Sequence, residues 1–159
     1  MNYFELFDIP VSIHVDKAAI AKKYVELQKK YHPDFFTQEN EEAQENSLEI
    51  SSAINKAMKV FKTTDATLKY VLELKGILEE EEKYPLPPDF LMEVMELNEN
   101  LTDDSVAAIE DFEKDIYAEV GAIIEHYNDA TITSQELQKL KEYYYKKKYL
   151  HRILERLEG

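Results

Sequence analysis

The sequence predicts an all-α chain in two parts. Three observations carry this reading. Only 3 glycines and 5 prolines occur in 159 residues, too few to turn the many short strands of a sandwich or barrel. Apolar residues recur at helical spacing through most of the chain, and no strand-like alternation runs longer than four residues. Between residues 77 and 88 the helical pattern gives way to Glu79-Glu80-Glu81-Glu82 and Pro85-Leu86-Pro87-Pro88, the chemistry of a stiff, solvated connector. A chain that is 44% apolar can fill a core on each side of it.

Each element has its own signature. Tyr3, Phe4, Leu6 and Phe7 form a short apolar segment closed by Ile9-Pro10, enough for a helix of a turn or two. Asp16 is an N-cap candidate for a helix whose Ile20, Tyr24, Leu27 and Tyr31 share one stripe. Lys22 and Lys29 fall on the opposite face, with Lys23 and Lys30 on its flank. Pro33 ends this helix and leaves His32 at the edge of a loop. A polar, acidic stretch over 37–46 reads as a mid-length loop. The period of Ile50, Ala53, Ile54, Ala57, Met58 and Phe61 then predicts an antiparallel partner helix. Leu68, Val71, Leu72 and Leu74 give a short fourth helix ending on Gly76. Beyond the connector, helices are expected from Pro88 to about Asn98, from about Asp104 to Tyr127, and from Thr133 almost to the end. Thr133 and Glu136 form a capping box for the last. Short turns between the three predict an antiparallel three-helix bundle.

Composition excludes several classes of function. The chain has no cysteine, so disulfides, thiolate nucleophiles and Cys-held zinc or iron-sulfur clusters are ruled out, and a reducing setting fits best. The start lacks the charge and apolar run of a signal peptide, and no stretch approaches the roughly 20 apolar residues of a membrane span. The expected location is cytoplasmic. The net charge of −14 is concentrated in the second half, so the surface repels phosphate backbones and no nucleic-acid or membrane partner is expected. No phosphate loop, nucleophile elbow or HExxH motif is present, and His14, His32, His126 and His151 lack metal-ligand spacing. Neither a catalytic activity nor a cofactor is expected.

The motif that stands out is Tyr31-His32-Pro33-Asp34, lying between a basic amphipathic helix and its antiparallel partner. This arrangement resembles a J-domain. Tyr3-Phe4-x-Leu6-Phe7, the tract from Leu27-Gln28 through His32-Pro33-Asp34 to Phe36, Ile54-Asn55-x-Ala57, Tyr70-x-Leu72-x-Leu74-x-Gly76 and the run from Phe90 to Leu97 are similar to the HscB family. Its members are J-type co-chaperones of iron-sulfur cluster assembly. The resemblance covers the chain in order and implies a J-domain at 1–76, a linker at 77–87 and a scaffold-binding three-helix bundle at 88–159. It further implies docking on a DnaK-type ATPase chaperone, HscA, through His32, Pro33 and Asp34. Lys22, Lys23, Lys29 and Lys30 are the candidates for the surrounding electrostatic surface. Two departures from the family pattern bear on that contact: Phe35 stands where a lysine or arginine is common, and Thr63 to Leu68 replaces a tract with proline and an Arg-Ala pair.

The second half adds an independent argument. On the helix after Pro88, Phe90, Val94, Leu97 and Leu101 make one apolar face, and Leu91, Met92 and Met95 make a second that a short bundle helix does not need. That face is either a partner surface or packed on the first domain. The resemblance favours binding of the scaffold IscU through Leu91, Met92 and Met95, with Tyr149 on the last helix. The expected function is recruitment of IscU to the chaperone with stimulation of its ATPase. The alternative is a J-domain co-chaperone of a general DnaK-type chaperone with a different client.

Overall fold

Helix signals and caps place the elements. In the computed structural model the described residues are 1–99, 102 and 104–158, and among them the ordered elements are all helical. They are α1 (Tyr3–Leu6), α2 (Lys17–Tyr31), α3 (Glu41–Phe61), α4 (Thr64–Leu74), α5 (Pro88–Glu99), α6 (Ser105–Glu125) and α7 (Ser134–Glu158), with a 3-10 turn at Pro33–Phe36. The chain forms two compact units, Met1–Val71 and Leu72–Gly159. The division falls inside α4, ahead of Gly76. No helix among the described residues is long and apolar enough to cross a membrane.

In the first unit, Asp16 caps α2 by accepting the amide hydrogens of Ala18 and Ala19. Ile20 and Leu27 are buried, whereas Tyr24 and Tyr31 are only half-buried. The Tyr24 hydroxyl and the Gln28 amide both donate to Asn55 Oδ1 at 3.2 Å, which pins α2 to α3. The loop before α3 is shorter than expected. Asn40 accepts the Ala43 amide hydrogen at 2.8 Å, and Glu41 and Glu42 suit the positive end of the helix dipole, so the acidic stretch is already helical. Phe4 and Phe7 pack on Phe61 with ring centroids 5.2 and 5.3 Å apart. Tyr3 stacks on Tyr70 at 4.7 Å while its amide donates to the Tyr70 hydroxyl. These aromatic contacts fasten α1 over the hairpin. The Thr63 to Leu68 tract also has a local logic: Thr63 caps α4 through Ala66, and the buried Thr67 hydroxyl lies 2.9 Å from the carbonyls of both Val60 and Thr63.

The second unit opens with the end of α4. Gly76 adopts φ +70°, letting the Ile77 amide reach Leu72 O at 2.9 Å and the Gly76 amide reach Glu73 O at 3.0 Å. The three long helices share a core of Phe90 and Val94 from α5, Ile109 and Ile116 from α6, and Leu150 and Ile153 from α7. Leu97 packs against it, and Leu101, the fourth member of the expected stripe, lies outside the described residues. The pairs Glu113 with His151 and Tyr117 with Tyr143 show that α6 runs antiparallel to α7. Contacts from Phe90 to Tyr149 and from Asn98 to Arg156 show that α5 runs parallel to α7. Thr133 and Glu136 form the reciprocal capping box, with both amide-to-side-chain bonds at 3.1 Å.

Residues 77–87 are only in part the solvated connector that their composition suggests: Glu79, Glu80, Glu81, Lys83 and Pro85 are exposed, but the other side chains are half-buried or buried. Lys141 on α7 donates to Ile77 O at 2.8 Å, pairs with Glu82 at 2.6 Å and lies over the Tyr84 ring. Tyr84 stacks on Tyr145 at 4.7 Å, Leu78 is buried and Leu86 joins the core cluster. The segment is a strap laid along the first half of α7. Its acidic turn places Glu81 at φ +60°, an uncommon conformation for a side-chain-bearing residue. Glu82 tightens that turn by accepting the Glu79 amide hydrogen at 3.1 Å. The Lys141 hydrogen bond and the Glu79 amide hold the Glu82 carboxyl below its ordinary range, against a smaller upward push from burial. Burial, and then the Glu142 and Glu82 charges, pushes the Tyr84 hydroxyl up.

A depressed carboxylate pKa stabilises the strap above the ordinary Glu range and ceases to do so as pH falls through the folded-state value. Ring-to-ring NOEs between Tyr84 and Tyr145 are therefore expected at neutral pH and should fade on acidification before the helical signal is lost. Lys141→Ala should weaken them already at neutral pH.

Candidate functional site

The first candidate site is the head of the α2–α3 hairpin. Pro33 carries no amide hydrogen, so the α2 ladder stops with the His32 amide bonded to Gln28 O at 2.9 Å. His32 takes an extended conformation, φ −60° and ψ 133°, and its Nδ1 accepts the Asp34 amide hydrogen at 3.2 Å. A neutral imidazole accepting at Nδ1 carries its own hydrogen on Nε2, which is then a donor available to a partner. The Asp34 carboxylate stands 3.6 Å from the same Nδ1, with its side chain 84% exposed. The Phe35 amide closes the turn on His32 O at 3.0 Å. Four backbone atoms and one side-chain cap thus fix a polar pair in solvent.

The lysines lead up to this turn on α2. Lys22 and Lys29 are exposed on the face opposite Ile20 and Leu27. Lys23 is half-buried and pairs with Glu26 at 3.9 Å, and Lys30 lies over the Tyr31 ring at 5.1 Å. All four share one helix with His32 at its C-terminal end, where positive charge also suits the dipole.

The second candidate site is the outer side of α5. Met92 is 68% and Met95 50% exposed, whereas Leu91 is half-buried. Tyr149 is set apart from the exposed methionines by its packing. It is half-buried, and its ring meets Phe90, on the buried side of α5, edge-on at 6.3 Å. The mixed run Tyr143 to Tyr149 is largely structural: Lys146 lies over Phe90, Lys147 over Tyr143 and Lys148 over Tyr144. Among the described residues no cluster of three or more His, Asp or Glu side chains is placed to hold a metal ion.

A co-chaperone protein HscB homolog from Pseudoalteromonas atlantica is 36% identical over 143 residues, covering 82% of this chain and 82% of its own length. The chain belongs to the HscB family of co-chaperones. Residues 86–158 match the family described as the HSCB C-terminal oligomerisation domain. The human iron-sulfur cluster co-chaperone protein HscB is 31% identical over 159 residues, spanning 99% of this chain and 67% of that one. The crystal structure of human co-chaperone HscB superposes with a TM-score of 0.78 at 27% identity, over 99% of this chain and 81% of that one. The chaperone HscB from Vibrio cholerae gives 0.59 at 27% identity, with 99% of each chain covered. Within this family fold, a J-domain precedes a C-terminal helical domain, and the two candidate sites lie one on each.

The sequence did not point to Lys141, Glu82 and Tyr84, because their meeting depends on the strap's path rather than on spacing. Tyr149, expected from the sequence as a binding residue, is also a packing residue. Tyr149→Ala should cost about 2 kcal/mol through lost packing on Phe90, whereas Met92→Ala and Met95→Ala should each stay within about 0.5 kcal/mol. Urea unfolding followed by circular dichroism separates the two cases.

Proposed function

We propose that this chain recruits an IscU-type iron-sulfur scaffold to an HscA-like chaperone of the DnaK type and stimulates that chaperone's ATP hydrolysis. Residues 1–76 serve as the J-domain, 77–87 as the link and 88–159 as the scaffold-binding domain. The observation that carries the reading is the hydrogen-bonded His32-Pro33-Asp34 turn, with His32 and Asp34 exposed, at the end of a helix with a basic outer face. The name of the human relative, an iron-sulfur cluster co-chaperone, supports the choice of client. The lack of cysteine suits a reducing compartment such as the cytoplasm.

The chain itself makes and breaks no bond. Lys22, Lys23, Lys29 and Lys30 speed encounter with an acidic chaperone surface. His32 and Asp34 then bind, in the geometry Pro33 imposes, the chaperone conformation competent for hydrolysis and so raise its population. Leu91, Met92, Met95 and Tyr149 hold the scaffold, the methionines adapting to its contours. Carrying both contacts on one chain raises the effective concentration of scaffold at the chaperone.

His32→Gln should reduce stimulation of the chaperone's ATPase to background while calorimetric binding of the scaffold is unchanged; full stimulation by that variant would reject the docking role. The combined Leu91→Ala, Met92→Ala, Met95→Ala variant, with helicity intact, should bind the scaffold at least about tenfold more weakly. Wild-type stimulation of a chaperone without any scaffold binding would favour a different client.

A further inference from the structure

The turn that presents His32 also presents an apolar group. Phe35 is 64% exposed, more than any other large hydrophobic of the first unit except Met1. The following residue, Phe36, is half-buried in the same 3-10 turn, so the turn directs one ring inward and leaves the other in solvent. Phe35 is nonetheless held. Its amide is bonded to His32 O, and its ring meets the His32 ring edge-on at 6.2 Å and 70°. Val25, 49% exposed, lies between Lys22 and Lys29 on the basic face of α2.

A single exposed apolar residue on a helix is ordinary. Here the ring sits on a hydrogen-bonded turn beside two polar side chains at the end of the basic helix, so the backbone that carries it is already shaped before any partner arrives. We propose that Phe35 is a specificity-determining contact of this chain: it inserts into an apolar pocket of the ATPase chaperone next to the acidic surface that receives the α2 lysines. The inference rests on the reading of this turn as the chaperone-docking site. It commits the partner to a mixed surface, acidic opposite Lys22 and Lys29 and apolar opposite Phe35. A chaperone with charge alone at that place docks poorly.

The test is ATP hydrolysis by the DnaK-type chaperones of the source organism, titrated with the full chain and its variants, with helicity checked for each. Phe35→Ala and Phe35→Lys should raise the half-stimulating concentration about tenfold, with stimulation at saturation retained, and Phe35→Leu should recover most of the loss. The Phe35→Ala defect should be the same at low and high salt, while that of Lys29→Ala shrinks as salt rises. His32→Gln, expected to abolish stimulation at every concentration, reports separately on the docking reading. A half-stimulating concentration for Phe35→Ala or Phe35→Lys within about twofold of wild type, with His32→Gln inactive, overturns the role of Phe35 and leaves docking in place. Absence of stimulation by the wild type with every chaperone overturns both.

Discussion

The first unit is organised by one missing hydrogen. Because Pro33 has no N–H to give, α2 cannot continue, and the residue before it is driven into an extended conformation. That turns the His32 side chain back over the next amide, where it caps the 3-10 turn and fixes the positions of Asp34 and Phe35. The chain then needs only a few residues to reach Asn40, whose side chain starts α3 in the opposite direction. A loop of this kind keeps its shape without deep burial because its hydrogen bonds are local. It does not depend on burial, so its side chains remain free for recognition.

The second unit answers a different constraint, one of length. Helix α7 has 25 residues and α5 has 12, so at 1.5 Å per residue α5 covers about half of it. Helix α6 covers one side along its length, but the N-terminal half of α7 would lack a third neighbour. The strap supplies it. Glutamates and prolines suit this role because the proline-rich end cannot become helical and the acidic turn brings a carboxylate to Lys141. Ahead of the strap, just past α4, Lys75 pairs with Asp129 at 3.0 Å, and the Tyr127 hydroxyl donates to Asp129 at 2.8 Å. Burial raises the Asp129 carboxyl, but the bonds from Lys75 and Tyr127 outweigh it and hold the group low. Burial, and then Asp129, drives the Tyr127 hydroxyl far up. This network ties the end of α4 to the turn between α6 and α7.

Much of this was readable from short-range patterns. Asp16, Thr133 with Glu136, and Gly76 act where their chemistry predicts, since a cap needs only its own neighbours in sequence. The described members of the apolar stripes of α2, α3 and α5 are buried or half-buried for the same reason: helical periodicity alone decides which side an apolar residue shares. The misreadings have a common cause. The composition of the stretch before α3 and of the strap suggests solvated loop, yet from Glu41 the first is helix, and in the second Glu82 is drawn onto α7 while Glu79, Glu80 and Glu81 stay exposed, because the partners that change their meaning are a dipole in one case and a distant lysine in the other.

By itself the sequence determined the helices, their caps, the place of the His32-Pro33-Asp34 turn and the family, all of which depend on residues close together in the chain or on their order. Tertiary structure decided which apolar side chains stayed outside. Met92, Met95 and Phe35 remain in solvent while Tyr149, Lys141 and Leu78 are drawn into packing. Exposure is what a side chain is left with after every other element has chosen its neighbours, and those neighbours come from positions far away in the sequence.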